Sequence, residues 1–118
     1  MRWRKALRRV ERTRIVEKSV TRFQEDCKDH AEAVIQGFSR IESRPFVLMK
    51  GREEDYLYAD LRYDKRLIEV YIYEDEAGYM INGKRWRIFE KPDFSGPEEL
   101  MHAFSAALRE ECLRTESA

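Results

Sequence analysis

Cysteine and histidine are the residues best suited to nucleophilic or metal chemistry, and this chain has two of each. Cys27 and His30 are three residues apart, a spacing that places both on one face of a helix, with Asp26 and Glu32 nearby. A tetrahedral zinc site would need two further ligands. His102 and Cys112 are ten residues apart, about 15 Å along a helix, so both cannot join the first pair. His30 falls on an apolar stripe and reads as a partly buried core residue; His102, one position off the stripe of the last helix, reads as a surface one. No Gly-x-Ser-x-Gly elbow occurs. Gly37, Gly51, Gly78, Gly83 and Gly96 never cluster, so a P-loop and a dinucleotide fingerprint are both missing. Carboxylates alone can do acid–base work, but no pair stands out. The sequence therefore leans against an enzyme and implies no cofactor and no metal ligands.

Binding residues are better represented. The formal net charge is zero, yet residues 1–14 hold seven cations against Glu11 alone, leaving an acidic remainder. In this basic arm Arg2, Arg4, Lys5, Arg8, Arg9 and Arg12 surround the short apolar stripe Trp3, Leu7 and Val10. It could dock on phosphates of a nucleic acid, with an affinity falling steeply with salt, lie on an anionic membrane surface, or bind an acidic partner or the chain's own acidic body. The second group is a set of tyrosines and arginines: Tyr58, Arg62, Tyr71, Tyr73, Arg85 and Arg87. Tyr and Arg are enriched in interface hot spots. Aromatics with flanking arginines also stack bases in single-strand binders, but no RNP-type signature accompanies these, and Asp60, Glu69 and Glu90 would repel phosphates.

The elements that position these residues follow from periodicity. Val16, Val20, Phe23, Cys27, His30, Val34, Phe38 and Ile41 form one stripe, predicting a helix of about seven turns, ended by Ser43-Arg44-Pro45. The arm's stripe is out of phase with it, so the helix is kinked or split near Thr13. From Phe46 to Glu90 the period changes to 2, predicting strands at 46–50, 56–63, 66–74, 79–81 and 84–90. Asp64-Lys65 marks a tight turn and Asn82-Gly83 a two-residue hairpin in which Ile81 opposes Lys84. Ser95, Pro97 and Glu98 open a last helix with the stripe Leu100, Met101, Phe104, Leu108 and Cys112. The expected fold is an α+β two-layer sandwich: an N-terminal helix, an antiparallel meander of four or five strands, and a C-terminal helix. Residues 1–14 are an arm on a single domain, 15–118. Both helices are expected on one sheet face, against Leu57, Leu61, Ile68, Val70, Ile72, Ile81, Trp86 and Ile88. The other face is expected to be open, presenting Tyr56 and the tyrosines and arginines named above.

The order helix, antiparallel meander, helix resembles the frataxin layout. That resemblance implies an acidic, metal-binding ridge, here Glu25, Asp26, Asp29 and Glu32. The family's Gln- and Trp-containing strand has no counterpart in Leu67 to Tyr73.

Length and composition set the frame. One domain suits 118 residues, and 14 aromatics argue against disorder. No apolar run approaches the roughly 20 residues of a membrane span, no secretory signal precedes the domain, and two cysteines are too few for a disulfide framework. The expectation is a cytoplasmic, small, non-enzymatic adaptor with the profile of an immunity protein, antitoxin or chaperone. It would bind a protein partner or a second copy of itself through the open Tyr/Arg face. The alternatives are nucleic-acid binding through the basic arm and frataxin-like metal binding.

Overall fold

The computed structural model describes residues 20–38, 40–51 and 55–114. The first helix, α1, spans Arg22–Gln36. Thr21 caps it: its hydroxyl accepts the Gln24 backbone N–H at 3.1 Å, and the Gln24 side chain accepts the Thr21 N–H at 2.9 Å. This reciprocal capping box satisfies two donors that a helix start otherwise leaves orphaned. Helix α1 is thus about four turns, not seven. Gly37 closes it, and Arg40, with a positive φ of 55°, turns the chain into a strand. The buried stripe is Phe23, Cys27, Ala31 and Ile35, so His30 and Val34 sit at its margin and Ile41 leaves the helix altogether.

Six antiparallel strands follow: β1 Ile41–Ser43, β2 Val47–Lys50, β3 Asp55–Tyr63, β4 Arg66–Ile72, β5 Glu76–Ile81 and β6 Arg85–Glu90. Strands β1 and β2 both pair with the same side of β3, which continues through β4 and β5 to β6. Ser43 opposes Leu61 and Val47 opposes Tyr58, so four steps on one strand match three on the other. The extra residue is a bulge at Arg44-Pro45-Phe46, where proline has no N–H to give the ladder. Strand β5 begins at Glu76, earlier than its periodicity suggests, because the chain reverses in a tight turn closed by the Tyr73 N–H on the Glu76 carbonyl at 2.7 Å.

The final hairpin corrects the expected register. Asn82 and Gly83 adopt positive φ of 52° and 72°, and the Lys84 N–H closes the turn on the Ile81 carbonyl at 3.0 Å. Ile81, however, opposes Arg85, with Lys84 as an extra loop residue. A slip of one residue reverses every side chain of a strand. Trp86 and Ile88 therefore leave the helix face, and Arg85, Arg87 and Phe89 take their place. Packing supports this parity: Phe89 lies among Tyr79, Phe94 and Phe104 at ring-centroid distances of 6.0–6.4 Å.

A short 3₁₀ turn, Lys91–Asp93, leads to α2, Pro97–Leu113. Its buried residues are those of the predicted stripe, Leu100, Met101, Phe104, Leu108 and Cys112. Ser95 donates its N–H and hydroxyl to Glu99, rather than Glu98, at 2.8 and 2.5 Å, holding that carboxyl below its usual pKa. At the other end Arg66 of β4 donates to the carbonyls of Cys112 and Arg114 at 2.9 and 2.8 Å, placing a cation at the negative pole of the helix. Lys91, just before α2, lies over the ring of Phe23 near the start of α1, and Arg109 lies over Phe38 beyond its end. The two helices therefore run in the same direction. Both pack on one face of the sheet, against Leu57, Leu61, Ile68, Val70, Ile72, Ala77, Tyr79, Ile81 and Phe89. This is an α+β fold.

Candidate protein-interaction surface

Tyr58, Tyr71 and Tyr73 come together as expected, joined by Tyr56, on the sheet face away from both helices. Tyr58 opposes Tyr71 across β3 and β4 with ring centroids 5.1 Å apart, and Tyr56 lies 5.9 Å from Tyr71 and 5.1 Å from Tyr73. With Met49 and Met80 they form a second core cluster, bordered by Val47 and Ile88. The expectation of an open face is overturned: the four tyrosines are between 0% and 3% exposed. A tyrosine withdrawn from water to this degree contributes to folding through its buried ring and offers no contact to a partner in this conformation. Arg62 stands at the exposed margin of the same face, opposite Glu42 of β1.

Arg85 and Arg87 do not share that face. The register of β6 sends them to the helix side, where Arg85 forms an ion pair with Glu111 of α2 at 2.9 Å and the Arg87 guanidinium lies 5.4 Å over the ring of Phe89. Between them, Trp86 projects to the opposite side and is 42% exposed. Periodicity assigned Trp86 to the core because an apolar residue in an alternating strand defaults inward. Only the extra loop residue Lys84 reveals otherwise. Strand β6 is an edge: among the described residues it pairs with β5 alone, and Arg85, Trp86 and Arg87 are all exposed.

No family model, curated protein or solved structure matches this chain.

The remaining chemistry-bearing side chains are occupied or dispersed. Burial, reinforced by the neighbouring Asp26 carboxylate, pushes the Cys27 thiol up to about 12, and burial pushes Cys112 up to about 11. Both remain protonated and un-nucleophilic near neutrality. His30 donates from Nδ1 to the Asp26 carbonyl at 2.8 Å. An open groove of about 990 Å³ between the helices gathers Asp26, His30, Glu98, Glu99 and His102. Even so, among the described residues no three His, Cys, Asp or Glu side chains stand close enough to hold a metal ion. The acidic side chains expected to form a ridge on α1 are partly paired on their own helix, Asp26 with Arg22 at 3.4 Å and Glu25 with Lys28 at 3.6 Å. The basic-arm residues Arg2, Trp3, Arg4, Lys5, Arg8, Arg9 and Arg12 lie outside the described residues. Among the described residues, no helix is long and apolar enough to cross a membrane.

Proposed function

We propose that this chain is a small protein-binding module that receives an extended, acidic segment of a partner protein along β6. The observation that carries this reading is the exposed Arg85-Trp86-Arg87 run on an edge strand. An unpaired edge offers a row of backbone donors and acceptors for strand addition. Trp and Arg are the residues most enriched in interface hot spots. Lys84 and Arg87 favour an acidic segment over a basic one, while Arg85 is already paired with Glu111. The tyrosines first assigned to the contact surface are not part of it. Arg85 and Arg87 are retained, with Trp86 between them as the anchor.

The test is purification of the tagged chain from its native host beside the variants Trp86→Ala and Arg87→Glu, with the complex followed by amide hydrogen exchange. The expected result is a stoichiometric protein partner, lost from both variants while their thermal unfolding stays near that of the parent, and protection of the β6 amides in the complex. A partner retained by both variants, or protection elsewhere, overturns the proposal. Nuclease-sensitive co-purification that depends on residues 1–14 would instead make nucleic-acid binding the leading reading.

A further inference from the structure

Hydrogen bonding along β6 decides which of its residues face an incoming strand. Just past its end, the Lys91 N–H bonds the Asp75 carbonyl at 2.8 Å. In an antiparallel ladder, hydrogen-bonded pairs alternate with non-bonded ones. Lys91 and Asp75 continue the register that sets Phe89 against Ala77, Arg87 against Tyr79 and Arg85 against Ile81. Arg85, Arg87 and Phe89 therefore direct their backbone N–H and C=O groups at β5. Trp86, Ile88 and Glu90 direct theirs outwards, to a border where no strand lies among the described residues. The side chains alternate in step: Arg85, Arg87 and Phe89 stand on the helix side, Trp86, Ile88 and Glu90 on the tyrosine side.

We propose that β6 selects its partner segment in two rows: the segment adds antiparallel, with an acidic residue opposite Arg87 between apolar residues opposite Trp86 and Ile88. This selectivity rests on the strand addition proposed above and adds to it a direction, a register and an order of side chains.

The direction follows from the sheet, in which every pairing is antiparallel, the slightly more stable arrangement per residue. In that direction Trp86 and Ile88 exchange backbone bonds with the residues opposite, and Arg87 falls at a non-bonded position. There the facing Cα atoms come to about 4.5 Å instead of about 5.5 Å, so opposed side chains meet most closely. The charge follows from what each arginine already holds. Arg85 is engaged by Glu111 at 2.9 Å, whereas the Arg87 guanidinium rests 5.4 Å over the ring of Phe89. A ring attracts the cation but cannot take the paired N–H bonds of its planar fork, which a carboxylate can.

The apolar row follows from the other side of the strand. Trp86 is 42% exposed and Ile88 is half-buried at the border of the Met80 cluster. Apolar side chains opposite them take this surface out of water. A carboxylate placed there would lie on the Glu90 side of the sheet, away from Arg87. A slip of one residue exchanges the rows, so this border selects the order of residues and not their composition alone.

The test uses the full-length chain and three six-residue peptides, acetylated and amidated to remove terminal charge. One alternates valine and glutamate, the second holds the same residues in two blocks, and the third alternates valine and lysine. Binding is followed by NMR titration and by amide exchange in the complex. The alternating acidic peptide should bind about tenfold tighter than its block isomer. It should protect the amides of Trp86, Ile88 and Glu90 and give an Hα–Hα contact between Arg87 and a glutamate. Arg87→Glu should reverse the preference towards the lysine peptide, and Arg87→Gln should lessen it without reversal; circular dichroism verifies that both variants fold. Equal binding of the two isomers at β6, an Arg87 contact to valine instead, or no reversal in Arg87→Glu overturns the two-row selection and leaves strand addition standing. If no peptide disturbs the β6 amides, both are overturned.

Discussion

The helix face and the tyrosine face of this sheet both remove apolar surface from water, but with different side chains. The helix face is aliphatic at its centre, with Leu61, Ile68, Val70 and Ile72 at 0–1% exposed, and two helices close it. The tyrosine face uses amphipathic rings and is bordered by carboxylates. An aliphatic face has one stable partner, the complementary stripe of a helix. Two chemically different surfaces of one sheet thus reach the same degree of burial, the four tyrosines at 0–3% exposed.

The largest expected effects probe whether the faces are equally load-sharing in the folded state. Phe104, 1% exposed, meets Tyr79 edge-on at 5.5 Å, and Phe104→Ala should cost about 3–5 kcal/mol in urea unfolding. Tyr71→Ala should fall in the same range of about 3–5 kcal/mol. A Tyr71→Ala loss below about 0.5 kcal/mol, the size usual for a surface substitution, would break the comparison by showing that this face is solvent-facing.

A smaller effect is expected at the junction of the faces. Gln24 is 1% exposed and joins the helix cap to the carbonyls of Asp55 and Ile72. Gln24→Ala should cost about 1–3 kcal/mol, the penalty for stranding buried partners, and should speed amide exchange at the start of α1.

The smallest effect at neutral pH concerns the chemistry of the helix face. Burial there, together with the Glu111 carboxylate, pushes Tyr79 up to about 12, and Cys27 also rises to about 12. Their folded values exceed the unfolded ones, so their stabilising contribution is complete below about pH 9 and is lost as pH rises towards 12. Unfolding free energy should fall above pH 9, by up to about 1.4 kcal/mol per pH unit for each group fully titrated in the unfolded chain. Among the described residues, the buried Tyr79 hydroxyl has no hydrogen-bond partner. Tyr79→Phe should therefore leave neutral-pH stability within about 1 kcal/mol, in the stabilising direction, and flatten the alkaline decline.

Much of this architecture can be read from local pattern. The buried stripe of α2 and the strands β3 and β4 follow directly from hydrophobic period, and positive φ at Asp64 and Asn82 falls where the turns were expected. Three features resist such reading, each for a physical reason. One residue more or less in a loop leaves local composition unchanged but inverts β6, so Trp86 and Phe89 exchange faces. The apolar stripe of α1 contains residues on either side of the true helix, and the Thr21 cap, rather than periodicity, decides where the helix begins. Tyrosine fits either a wet or a buried sheet face, so strict alternation in β3 identified the two faces without saying whether the second one was open. The candidate site was correspondingly half legible: Arg85 and Arg87 could be named, while the tryptophan between them could not.

The two lateral borders of the sheet are unequal, and this limits how copies of the molecule could stack. On the β1–β2 border the ladder is broken at Arg44-Pro45, and each fragment is only three or four residues long. A proline and a bulge there obstruct a continuous incoming strand. The β6 border is six residues long and unbroken. The proposed strand addition would consume that border once, and the complex would then present only the blunt border of this chain. Two copies meeting β6 to β6 would form a closed two-fold pair rather than the seed of a fibre.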